Sequence, residues 1–372
     1  MNMKIVCDLD QCTGCMACVD ICPKNAIKVD TDVKKYNAVI DESKCVNCDG
    51  CRRVCQKNHP PVLKEPIMWK QGWSENAEMR ANASSGGAAT SVMKAFVQNG
   101  GVVCSCMYDN ESFKFGFAEN IEEINRFIGS KYVKSDATGA YKTVKQYLKH
   151  HRKVLFLGLP CQVGAVKNYV GEQLAEYLYT ADLICHGTPS PELFELFLKQ
   201  YYPDDKRIKD IQFRKKNQYQ VSADGKNISV TGTCDKYSIG FLNCLFYTEN
   251  CYDCYYAAKK RVSDLTLGDS WGSELPISEQ RKGLSLVICQ TEKGKELLNH
   301  SDLKLQDVDV AKAIEHNHQL EHPSVAPESR EKFYNNIRKG KSFDHAVRVS
   351  FPYQCFKQFV KKLLIKTGLL KK

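Results

Sequence analysis

No stretch of the 372 residues strings together the ~18 consecutive apolar side chains that a membrane-crossing helix needs, so no span is expected. The opening Met1–Cys7 has no long apolar core, so no secretory leader is expected there. No recognised nucleic-acid module accompanies the basic residues. They are spread out, the densest piece running from Lys206 to Lys216, and nucleic acid is not expected as a partner. What the chain has in quantity is cysteine, 19 in all. In a secreted protein that would suggest disulfides; without a leader, and with the spacing described next, it points to a reducing cytoplasm. The length suits two or three domains with a sizeable core.

The cysteines are concentrated at the front. Cys12, Cys15, Cys18 and Cys22 form C-x2-C-x2-C-x3-C, followed by Pro23; Cys45, Cys48, Cys51 and Cys55 repeat the spacing. Three thiolates in one tight loop reach three corners of an iron–sulfur cube, and the fourth ligand comes from the other run. The expected sets are therefore Cys12, Cys15, Cys18 with Cys55, and Cys45, Cys48, Cys51 with Cys22: a bacterial ferredoxin module with two [4Fe–4S] clusters. Zinc knuckles would show paired CxxC units rather than triplets with a trailing cysteine. Ala26–Val29 and Ala38–Asp41 read as a small hairpin between the loops. Gln56 stands where proline is expected in the second run, and Cys7 lies outside the pattern as a packed or free thiol. The formal charge of +10 counts these thiols as neutral; three clusters at about two negative charges each would remove roughly half of it.

Residues 58–74, with His59-Pro60-Pro61 and Pro66, read as a linker packed by Trp69 and Trp73. A helix is predicted from Gly86 to Gln98. Its opening Ser84-Ser85-Gly86-Gly87 reads either as a phosphate cradle or as plain capping. Strands are predicted over Val102–Tyr108 and Phe113–Ala118, with Cys104 and Cys106 on one face. Gly129–Asp136, cationic and polar, reads as an anion-binding or a solvated loop. Strand–loop–helix units then place Leu159-Pro160-Cys161-Gln162 and Cys185-His186-Gly187 at strand carboxyl ends, where ligands gather in open α/β sheets. Cys251 and Cys254 supply two more thiols. The four together read as a third [4Fe–4S] site, a structural zinc site or a redox-active CxxC, with the cluster-rich front favouring the first. Phe351–Lys372 alternates apolar and lysine residues at helical spacing. It reads as a helix that docks on a partner, lies on an anionic membrane face, or simply packs on the body.

Taken in order, these pieces resemble the coenzyme F-420 hydrogenase/dehydrogenase beta-subunit family. The likeness runs from Asp10 to about His300 through the double cluster module, Ser84–Gly87, Gly129–Asp136, Leu159–Gln162, Cys185–Gly187, Phe213–Lys215, Cys251-x2-Cys254 and Ser263–Asp269. Leu159 departs from it, where a small hydroxylated residue is expected. The resemblance implies an α+β multidomain chain: a 2[4Fe–4S] ferredoxin domain (1–62) and an α/β flavin-binding catalytic region in two parts (63–138 and 139–345), after which the helical spacing gives a basic amphipathic C-terminal helix (346–372). It implies FAD, with Ser84, Ser85, Gly86 and Gly87 near the pyrophosphate and Lys131, Ser135 and Arg214 touching flavin or acceptor. Cys161, Cys185, Cys251 and Cys254 would hold a third cluster, and Lys131 and His186 would be catalytic. The implied function is a cytoplasmic oxidoreductase moving electrons between clusters and flavin, with a low-potential partner protein and an organic substrate or deazaflavin-like coenzyme. The alternative is a non-catalytic electron-transfer subunit.

Overall fold

The structure is a computed structural model that describes residues 4–202 and 207–370. Lys206, at the start of the basic stretch, and the terminal Met1–Met3 and Lys371–Lys372 lie outside the described residues.

The front module is a doubled loop around one hairpin. Strand β1 (Ile27–Thr31) pairs antiparallel with β2 (Tyr36–Ile40), Ile27 opposite Ile40. In each cysteine loop two residues take left-handed backbone at matching places: Gly14 and Met16 in the first, Asn47 and Asp49 in the second. A short helix follows each, Ala17–Ile21 and Gly50–Val54. A left-handed turn aims successive N–H groups to one side, which suits an anionic occupant. At Gly14 the turn also needs glycine for room, because a Cβ would meet the Tyr36 carbonyl oxygen at 2.6 Å.

The body is built on an eight-stranded sheet. Its strands are β3 (Met68–Ser74), β4 (Val102–Tyr108), β5 (Phe113–Ala118), β6 (Val154–Gly158), β7 (Leu178–Leu183), β11 (Leu265–Asp269), β12 (Ser285–Cys289) and β13 (Leu303–Gln306). Their order is β13-β3-β12-β11-β7-β6-β4-β5. The central β4, β6, β7 and β11 run parallel, and the strands outside them pair antiparallel. Every residue of Val154–Gly158 is buried, the continuous apolar run expected of a strand covered on both faces. A separate antiparallel sheet of β8 (Ile211–Lys215), β9 (Gln218–Ala223) and β10 (Lys226–Asn227) rests on an aromatic core that includes Phe194, Phe213, Tyr237 and Phe343.

The end of the expected linker is not a linker. Residues 68–74 form β3, inserted between β12 and β13 with Trp69 opposite Ile288 and Trp73 opposite Lys304. Strands on both sides of position 138 share the same sheet. The helix expected from Gly86 starts at Ala88, after Gly87 at φ 93°. The helix after β6 starts at Pro160, which puts Cys161 in its first turn rather than in a loop before it.

The front module is anchored to the body by specific bonds. Asp20 accepts from the N–H groups of Gly139 and Lys142 at the start of helix Ala140–Lys149. The Tyr141 hydroxyl donates to the Cys15 carbonyl at 2.7 Å. Gln56 donates to the Thr13 hydroxyl at 2.9 Å and accepts from the buried Tyr256 hydroxyl at 2.6 Å. Proline at this position could make neither bond.

Candidate functional site

Three cavities follow one another from the module into the body. Cys22, Cys45, Cys48 and Cys51 line the outermost, and Cys48 is exposed. Cys12, Cys15, Cys18 and Cys55 are buried together on the side that faces the body. The division matches the expected pairing of three thiols from one run with the last of the other. Cys7 packs against the inner set.

Next to the inner set lies a small cavity of about 40 Å³. Cys161, Cys185, Cys251 and Cys254 all line it. The parallel strands bring them there: Cys161 follows β6, Cys185 follows β7, and the CxxC arrives from the loop before β11. The Cys251 sulfur is surrounded by donors, receiving the Thr188 N–H at 3.5 Å, with the Thr248 hydroxyl and the Asn250 amide each at 3.6 Å. Burial pushes the Cys185 thiol up to about 12 and Cys161 above its ordinary range, so a bound metal would be needed to hold them as thiolates. Among the described residues, no group of three or more His, Cys, Asp or Glu is gathered tightly enough for a single metal ion. The four thiols stand around a space instead, and an all-sulfur donor set of this kind suits either an iron–sulfur cube or tetrahedral zinc.

Two buried cations line the same cavity. Lys134 donates to the Thr13 carbonyl in the inner cysteine loop at 2.8 Å, and its charge acts on Cys12, Cys161 and Cys185. Arg261 is paired with Asp182 at 3.0 Å, both buried, and its charge acts on Cys254. A positive charge between two four-thiolate sites offsets their mutual repulsion. Sequence reading passed over Lys134, although it stands inside the Gly129–Asp136 motif.

The third and largest cavity, about 260 Å³, shares Leu159 and Cys185–Thr188 with the small one. Ser84, Ser85, Gly87, Lys131, Ser135, His186 and Arg214 all line it. Gly86 does not: a Cβ there would meet the Gly72 carbonyl at 2.5 Å and the Ser285 nitrogen at 2.6 Å, so its role is close packing on the sheet. The Ser285 hydroxyl accepts from the Gly86 N–H at 3.1 Å, while Ala89 and Thr90 of the helix's first turn line the cavity.

The basic stretch is not an open anion patch. Arg214 is buried and grips Asp269 with two bonds of 2.7 and 2.8 Å, and it donates to the Ser84 carbonyl at 2.6 Å. Burial opposes its charge, but Tyr132 and Asp269 hold the guanidinium firmly protonated, and its Nε has no partner. Lys216 donates to the carbonyls of Arg80 and Ser85. Both cations shape the Ser84–Ser85 loop. Lys131 Nζ donates to the Phe127 and Ile128 carbonyls, and burial pushes it down to about 8. The Ser135 hydroxyl accepts from the buried Gln162 amide at 3.1 Å.

His186 is held by groups that sequence reading did not find. Its Nδ1 lies 2.9 Å from Gln319 Nε2, and its carbonyl accepts from Ser324 at 2.7 Å. Burial, aided by nearby His318, pushes it down to about 4, so it is neutral at pH 7. With Nδ1 accepting, Nε2 carries the hydrogen. Gln319 lies far along the chain in a His-rich turn that shows no ligand spacing.

Residues 151–311 match the family model for the C terminus of the coenzyme F420 hydrogenase/dehydrogenase beta subunit, and residues 11–59 match the 4Fe-4S dicluster domain. The chain belongs to the coenzyme F420 hydrogenase/dehydrogenase beta-subunit family, with a ferredoxin domain at its front. The beta-subunit match takes in Cys161, Cys185, Arg214, Cys251 and Cys254, and the dicluster match takes in all eight front cysteines. Ser84–Gly87, Lys131 and Ser135 lie outside both. No curated protein matches. Among solved structures, a chain of the F420-reducing [NiFe] hydrogenase complex from Methanosarcina barkeri aligns over 75% of this chain and 96% of its own. Its identity is 18% and its TM-score 0.45, and no argument rests on it. Membership in this beta-subunit family with a dicluster domain makes the chain an iron–sulfur redox protein. Among the described residues no helix is long and apolar enough to cross a membrane.

Proposed function

We propose that the chain is an iron–sulfur flavoenzyme, with a third [4Fe–4S] site at Cys161, Cys185, Cys251 and Cys254 and FAD in the 260 Å³ cavity, acting on an organic substrate or deazaflavin-like coenzyme. The observation that carries this reading is the shared wall. Cys185 and His186 face both the four-thiol cavity and the large one, so a cluster and a ring system bound there are neighbours. When bound, clusters handle single electrons and a flavin converts these to hydride chemistry.

The chain's own residues set the conditions. Lys134 ties the inner cysteine loop to the third cage and brings a positive charge between them. Lys131 adds a charge at the large cavity that is present below about pH 8 and favours an anionic ring. His186, neutral at working pH, offers a hydrogen bond from Nε2 rather than acting as an imidazolium acid. The Ser84–Ser85 loop and Gly87, braced by Arg214 and Lys216, present the start of an eleven-residue helix toward a pyrophosphate. A low-potential partner protein would meet the exposed Cys48 side of the module.

Anaerobic reconstitution with iron, sulfide and FAD tests the proposal. The expected result is a flavin spectrum that co-purifies with the chain and is bleached by a low-potential donor. Failure to retain flavin at saturating FAD would overturn the enzyme reading.

A further inference from the structure

The C-terminal helix, Pro352–Lys366, meets the body with a narrow strip of its surface. Cys355 and Ile365 are its buried residues, and Gln358 accepts from the Cys234 N–H at 3.0 Å. The opposite face is apolar and uncovered: Tyr353, Phe356, Phe359, Leu363 and Leu364 are exposed, Phe356 at 62% and Phe359 at 56%. At about 100° per residue these side chains span an arc of roughly 140°, a full apolar face rather than scattered contacts. Lysines flank the apolar arc on both sides. Lys357 and Lys361 fall on one side of the apolar arc, Lys362 and Lys366 on the other. Residues 351–370 contain no acidic side chain.

We propose that this helix is an interfacial anchor that seats the protein on an anionic membrane surface. The apolar arc would enter the acyl boundary while both lysine rows lie at headgroup height, the arrangement that interfacial helices use. Charge decides against a second copy of the chain, because two such faces packed together would set lysine rows side by side with no acid on either to pair them. The helix is too short and too charged to span a bilayer, so it would lie flat on the surface.

The test uses the full chain, purified anaerobically with its clusters, sedimented with vesicles of phosphatidylcholine alone or mixed with phosphatidylglycerol. The expected result is binding to the mixed vesicles only, lost at high salt. F356S/F359S and K357E/K361E should each lower partitioning by about tenfold or more, with the iron–sulfur absorbance unchanged. No binding to the mixed vesicles, or equal binding to both kinds, overturns the proposal. So does a wild-type dimer in light scattering that F356S/F359S converts to monomer without vesicle binding, since the face would then serve a protein contact.

Discussion

The two cysteine runs of the front module repeat each other in spacing and in backbone, yet they sit in opposite surroundings. Met16 and Asp49 take the same left-handed turn, at φ 63° and 55°. The set containing Cys12, Cys15 and Cys18 is buried against the body, beside Lys134, Tyr141 and Gln56. The set containing Cys48 faces outward. Ligand spacing is therefore a local property of each run, whereas direction along the chain of sites comes from what the rest of the protein packs around one of them. The same module without this body would have no inner and outer end.

Breaking each cage separately should expose the difference most strongly. Cys18→Ser leaves an unfilled site inside the main apolar cluster, and the melting temperature should fall by more than ~10 °C. Cys48→Ser should lose a comparable share of iron with a fall of under ~4 °C. Calorimetry with iron analysis on the same samples decides it, and equal losses of stability would erase the distinction. Next in size, Gln56→Pro restores the repeat but deletes the bonds to Thr13 and Tyr256. It should cost about 2 kcal/mol in anaerobic denaturant melts with all iron retained.

Lys134→Met sharpens the comparison electrically. A cation favours the more negative, reduced state of a nearby cluster, so its removal should lower the potentials of the inner and third sites by roughly 50 mV and leave the outer one unmoved. A redox titration followed by electron paramagnetic resonance reads this directly. The smallest effect belongs to Lys131. Below about pH 8 it is charged and, in the proposed flavin site, would support an anionic ring; above that the support would be lost. Affinity for reduced flavin should therefore fall a few-fold as pH rises through 8, and Lys131→Met should flatten the profile at the weaker level.

How far these features were legible in the sequence depended on distance along the chain. The eight front cysteines declare themselves because a cube demands its thiolates at short, fixed intervals. The strands Val102–Tyr108 and Phe113–Ala118 were readable to the residue from their apolar runs. The four later thiols were legible as a group because strand-end logic puts residues after β6 and β7 side by side. β3 was not, since prolines precede it and its partners β12 and β13 lie at the other end of the chain. The partners of Arg214 and Lys216 were hidden for the same reason: Asp269 and the Ser85 carbonyl lie far from them along the chain. Gln56 looked like a lapse in a repeat and is an interface residue, a fact that only Tyr256 reveals.

The position of β3 also dictates an order of assembly. Residues 68–74 emerge from the ribosome early, but the segments 285–289 and 303–306 that flank them are among the last parts of the body to be made. The β3 side of the sheet therefore stays unpaired until those segments are made, whereas the stretch from Cys12 to Cys55 precedes every strand of the body.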